Sequence, residues 1–164
     1  MLGVIEDRAF NRAFMPRPVR RALSRNELPM RHKPQMTLED VYRIAEAVRN
    51  EAAKRKLAGT IAIVDTGGHL LYLERPDRQS PNSVEIATLK ARTAAFRERP
   101  SSALAERVKE RPGWLMFPNS LPIAGGVPLF YGDECVGGVG VSGIADDDEV
   151  AAQAGAEVLR AQAG

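Results

Sequence analysis

One run constrains this chain more than any other: Thr60-Ile61-Ala62-Ile63-Val64-Asp65-Thr66-Gly67-Gly68-His69-Leu70-Leu71-Tyr72-Leu73. Thr60–Val64 is a continuous apolar stretch rich in β-branched side chains, which suits a strand covered on both faces. His69–Leu73 is its return strand. Thr66-Gly67-Gly68 supplies the residues that accept positive φ in a tight hairpin. The pattern recurs later, with Val127–Tyr131 and Cys135–Val141 joined at Gly132-Asp133. A short strand near Leu121–Ala124 is expected before them, making five. Strands joined in sequence by hairpins predict an antiparallel sheet with helices packed on it, an α/β (α+β) arrangement. That excludes a parallel dinucleotide-binding fold.

The helices are marked by their ends. Thr37-Leu38-Glu39-Asp40 has capping-box form. Leu38, Val41, Ile44, Ala45, Val48 and Ala52 then recur at helical spacing, with Gly59 as the expected stop. A second helix follows Pro81, capped by Asn82 or Ser83, with Glu85 in its first turn. Its Ala87, Ala91, Ala94 and Ala95 form a small-residue face that permits close approach to a sheet. Pro100 ends it. A third helix runs from Ser101 to about Glu110 and stops at Pro112-Gly113. Residues 111–121 form a loop holding Trp114, Met116 and Phe117, and a last helix covers about Asp146 to Leu159.

The chain has 164 residues, which suits one domain at 37–164 behind an arm at 1–36. The arm is basic and broken by Pro16, Pro18, Pro29 and Pro34. A short helix near 6–14 is expected in it. Its Phe10, Phe14, Val19, Leu23 and Leu28 are expected to pack on a neighbouring subunit, making the protein a homo-oligomer. The rest of the chain is slightly acidic. It shows no nucleic-acid-binding motif, so nucleic acid is not an expected partner. Cys135 is the single cysteine, so no intrachain disulfide forms. No apolar run reaches membrane-span length and no secretory h-region opens the chain, which makes the cytoplasm the expected compartment and excludes a membrane partner.

Residue chemistry leaves several readings open. His32 and His69 lie in no ligand-spaced cluster, so no metal site is expected. Asp146-Asp147-Asp148-Glu149 reads as first-turn carboxylates facing a helix dipole rather than as a cation site. Gly125-Gly126 precedes a strand, where a ligand can meet free backbone N–H groups. Gly137-Gly138-Val139-Gly140 lies within a strand and marks close approach of a ligand or of another backbone. His69 reads as a general base, a haem ligand or a polar hairpin residue. Lys90 and Thr93 share a helix face with Ile86 and Arg97, which is either an anion-binding or a solvated face. Ser142 lacks the setting of a serine nucleophile. Trp114 reads as a lid, a core plug or a subunit contact. Asp65, His69, Glu85, Lys90 and Arg92 together supply acid, base and anion-binding types. They permit a metal-independent isomerase, hydratase or lyase acting on a small anion, with His69, Lys90 and Glu85 catalytic. A structural or assembly role is a third alternative.

Five segments in order carry a family resemblance: Ile63–Leu71, Ser83–Ala87, Lys90–Ala95, Pro122–Pro128 and Val136–Gly143. Together they resemble the GlcG/HbpS-like family of haem-binding-protein-like domains, which includes the C-terminal domain of PduO-type proteins. The resemblance runs from about Thr37 to Leu159. It implies a three-layer sandwich akin to profilin-like and PAS-like domains, oligomers, and haem or another tetrapyrrole as ligand. Some members sit in catabolic operons. The ligand-binding positions it suggests, with those read above, are Asp65, His69, Lys90, Thr93, Gly125 and Gly126. Thr93 is the position most directly implied for haem. The sequence departs from the family at Arg75-Pro76-Asp77-Arg78-Gln79 and in its long basic arm.

Overall fold

The computed structural model describes residues 32–162, and from Lys33 onward the chain forms one compact unit. The expected arm helix lies outside the described residues. Helix α1 (Leu38–Ala53) opens on Thr37, whose Oγ1 accepts from the Asp40 N–H at 3.3 Å. The Asp40 carboxylate accepts from the Thr37 N–H at 2.8 Å, completing the capping box. The helix ends earlier than expected. Its chain turns on Lys56 at φ 57, with the Leu57 N–H returning to Ala52 O. Gly59 is therefore not the helix stop. It sits at the entry to the sheet, where a Cβ would fall under 3.0 Å from Ile144.

Strands β1 (Thr60–Asp65) and β2 (Leu70–Glu74) form the first hairpin. Helices α2 (Ser83–Arg97) and α3 (Ser101–Glu110) follow, then a 3-10 turn at Pro112–Met116. Strands β3 (Gly126–Tyr131) and β4 (Glu134–Ser142) make the second hairpin. A 3-10 turn at Ala145–Asp147 leads into α4 (Asp148–Gln162). The sheet is antiparallel in the order β2-β1-β4-β3, so the two hairpins meet through their inner strands. Pro128 lies in β3, an edge strand, where its missing N–H costs no ladder bond.

The sheet has four strands, not five. Residues 121–124 form a bent loop because side chains claim its polar backbone. Leu121 N–H donates to Thr93 Oγ1 at 2.7 Å, and Ile123 O accepts from Ser101 Oγ at 2.6 Å. With these groups already paired to helices, the loop has little left with which to join a strand ladder.

Helices cover both faces. Val139 and Val141 of β4 join Ile61 and Ile63 in the larger core beneath α1 and α4. Gly138 and Gly140 alternate with them and face α2. A Cβ on either glycine would fall under 3.0 Å from the backbone oxygen of Ala91 or Ala87. The glycine run of β4 thus lets α2 lie against the sheet through Ala87, Ala91 and Ala95, which pack on Ala62 and Val64. Of the two readings left open for that run, backbone approach is the one the fold uses. No helix among the described residues is long and apolar enough to cross a membrane.

Candidate functional site

The candidate site residues group around α2, which presents a different stripe to each neighbour. The first stripe meets the β1–β2 turn. Asp65 closes that turn with Oδ1, which accepts from the N–H groups of Gly67 at 2.8 Å and His69 at 2.9 Å. Its other oxygen lies 3.3 Å from His69 Nδ1. Burial pushes the Asp65 carboxyl up, but the two N–H donors and the imidazole outweigh it and hold the group below its ordinary value. The imidazole itself is 81% exposed. Gly68 has φ +79, and a Cβ there would also meet the Phe96 ring, so glycine is required on two counts. Arg92 Nε donates to Gly68 O at 2.9 Å and ties the turn to α2.

The second stripe is Lys90 and Thr93. Lys90 is 2% exposed. Its ammonium donates to Val141 O at 3.0 Å and to Asp148 Oδ2 at 2.7 Å. Asp148 Oδ1 accepts from the Ile144 N–H at 2.7 Å, so the buried charge pair is hydrogen-bonded on both sides. Thr93 is fully buried; its hydroxyl donates to Leu89 O at 2.7 Å and accepts from Leu121 N–H at 2.7 Å.

Gly125 and Gly126 adjoin this hub. Gly125 has φ +117, and a Cβ would fall under 3.0 Å from Lys90 Nζ and Val141 O. Its N–H donates to Glu149 Oε2 at 3.2 Å, and Gly126 N–H donates to Ser101 Oγ at 2.8 Å. Ser102 Oγ donates to Glu149 Oε1 at 2.8 Å. The two glycine N–H groups are therefore bonded to side chains of α3 and α4 rather than open to a ligand. Sequence reasoning missed Asp148, Glu149, Ser101 and Ser102 as partners here. Their one signal was position: carboxylates and hydroxyls in the first turns of two helices also point at whatever those turns abut.

The third stripe lies at the C-terminal end of α2. Phe96, Arg97 and Arg99 join Pro100, Ala103, Leu104 and Arg107 around a cavity of about 230 Å³. The Arg97 Cζ lies 4.9 Å from the ring centres of both Trp114 and Phe117, which stack on each other at 5.0 Å. Arg107 lies 5.3 Å from the Trp114 ring centre. Trp114 is thus a platform for guanidinium groups. Arg97 Nε is buried and has no hydrogen-bond partner among the described residues. Burial, and then the neighbouring Arg107 charge, lower the Arg97 pKa. Arg107 and Phe96 were not singled out from sequence, because nothing local marks two residues eleven apart as facing one space.

Glu85 is exposed in the first turn of α2. Glu85, Lys90 and His69 line neither this cavity nor one another's surroundings: one is on the surface, one is enclosed by an ion pair, and one is on the hairpin turn. Among the described residues no group of three or more His, Cys, Asp or Glu side chains is placed to hold a metal ion.

The chain is 38% identical over 100 residues to protein GlcG of Escherichia coli (strain K12), covering 60% of this chain and 75% of that protein. A crystal structure of an HbpS double mutant from Streptomyces reticuli superposes with a TM-score of 0.75 at 33% identity, covering 87% of this chain and 99% of the other. The crystal structure of a PduOC–haem complex superposes at 0.69 and 21% identity, covering 76% and 95%, a likeness of fold alone. Residues 36–157 match the family described as haem-degrading protein HbpS-like, and this chain belongs to it.

Proposed function

We propose that this protein binds a tetrapyrrole of the haem type on the face where the β1–β2 turn meets the C-terminal half of α2. The observation that carries this reading is the exposed His69 imidazole with its Nδ1 held against the Asp65 carboxylate. A ligating imidazole characteristically gives its second nitrogen to a carboxylate or carbonyl, which fixes the tautomer and leaves the other nitrogen for metal. Here Nε2 is the nitrogen left for that role. The Phe96 ring beside the turn offers an apolar wall, and the guanidinium groups beyond it suit the carboxylates of a haem. Membership of a haem-degrading-protein-like family favours the same ligand. Haem would supply the redox-active iron; the chain's own part is to bind and orient it.

Thr93 plays a different part in this reading. Its hydroxyl already makes two hydrogen bonds within the fold, so it supports the α2–loop junction rather than iron. Lys90 likewise supports the hub. Purified full-length protein titrated with haemin is expected to give a saturable Soret band. The absence of any saturable band overturns the reading. The protein is also proposed to self-associate through residues 1–36. Deleting residues 1–35 is expected to lower its mass in multi-angle light scattering, and an unchanged mass overturns that role for the arm.

A further inference from the structure

We propose that the cavity between α2 and α3 is a carboxylate-binding site for a small organic acid with an apolar or aromatic body, held by Arg97 and Arg107. Three arginines, Arg97, Arg99 and Arg107, line one space. None of them forms an ion pair with a carboxylate among the described residues. Like charges gathered without a counter-charge repel one another, and an anion between them relieves that repulsion. The side chain of Glu106, on the same helix as Arg107, is already paired with Lys109 at 2.7 Å.

The arginines are also held in place. Trp114 and Phe117 make cation–π contacts with the Arg97 guanidinium, and Trp114 makes one with Arg107. A cation–π contact holds a guanidinium in place while leaving its terminal N–H groups for a carboxylate. Arg97 Nε is closed off from solvent and lacks a partner among the described residues, so the terminal N–H groups are the ones left for a ligand. The same cavity is lined by the apolar Phe96, Pro100, Ala103 and Leu104. Size narrows the ligand further. About 230 Å³ falls below the roughly 300–1,000 Å³ of pockets that enclose drug-sized molecules. A one-ring acid fits, whereas a haem could place only a propionate there.

Trp114 is the single tryptophan of the chain, so its fluorescence reports directly on this site. The probes are benzoate, its neutral counterpart benzamide, and inorganic phosphate. Benzoate is expected to change the emission saturably, with benzamide and phosphate at least tenfold weaker. Arg97→Gln and Arg107→Gln are each expected to weaken benzoate at least tenfold, and Arg43→Gln on α1 to leave it unchanged. Circular dichroism checks that each variant folds, and either arginine variant alone suffices. No saturable change, equal binding of benzamide or phosphate, or undiminished binding by a folded arginine variant overturns the proposal. Haemin and haemin dimethyl ester separate the two carboxylate sources, and that arm alone rests on the tetrapyrrole reading. Competition by haemin but not by its diester assigns the site to propionates; no competition assigns it to a free acid. Benzoate binding without haemin binding overturns the tetrapyrrole reading and leaves this site standing.

Discussion

Asp65 shows how one side chain can order a turn and set up a candidate ligand together. Its carboxylate collects two backbone N–H groups and the His69 ring, and its pKa is lowered in consequence. A folded-state pKa below the unfolded value contributes stability that is complete above the unfolded value. That stability is lost as pH falls through the folded value. Asp65→Asn is therefore expected to be less stable than wild type near neutrality, with the gap closing as pH falls through the acidic carboxylate range. The Asp65 side chain is 40% exposed, so solvent screening keeps the ionic part of the gap below about 1 kcal/mol. Urea midpoints across that range check it, and a gap constant with pH contradicts it. Lys90 is the opposite case, a charge with no solvent to fall back on. Lys90→Met leaves Asp148 buried without its cation, at a cost of about 3–5 kcal/mol. Pairing it with Asp148→Asn is expected to recover much of that loss, because the amide oxygen can still accept from Ile144 N–H. Denaturant melts of the two variants decide this, and equal losses contradict it.

Among the elements, α2 organises everything else. It lies close to the sheet because β4 offers glycine where other strands offer side chains. Gly140→Ala places a methyl under 3.0 Å from Ala87 O, and overpacking of that kind costs about 1–3 kcal/mol. The neighbour is helix backbone, which cannot swing aside as a side chain can, so the upper end is expected by thermal melting. An unchanged melting temperature contradicts this account of the glycine run. The elements legible in the sequence were those whose causes are local. Thr37 and Asp40 sit three residues apart and cap α1 together, and the β1–β2 turn is written in consecutive residues. The strand expected at 121–124 failed because its cause is not local. Leu121, Ile123 and Gly125 bond to Thr93, Ser101 and Glu149, side chains 22 to 28 positions away. The Lys90–Asp148 pair spans 58 positions, beyond any spacing rule. Helical spacing groups Lys90, Thr93 and Arg97 on one face, but the structure encloses Lys90 and Thr93 and leaves Arg97 at the cavity beyond them. Whether that face met protein or solvent depended on elements that the helix pattern does not name.

For the whole molecule, the two faces of the sheet hold different contents. The face beneath α1 and α4 holds the larger apolar core. Along α2 the opposite face carries first the Lys90 hub, then the β1–β2 turn held by Arg92 and Phe96, then the arginine cavity. His69 and the cavity arginines, the proposed binding residues, lie outside the larger core, whereas Asp148 of the hub caps Ile144, which belongs to it. In the proposed haem site His69, and not the buried Thr93, faces the iron of a bound tetrapyrrole. Haemin titration of wild type, His69→Ala and Thr93→Val, each checked for folding, tests it most directly. The account predicts a saturable Soret band in wild type, its loss or a shift in its maximum in His69→Ala, and an unshifted maximum in Thr93→Val. A Soret band in folded His69→Ala with wild-type position and affinity would contradict it.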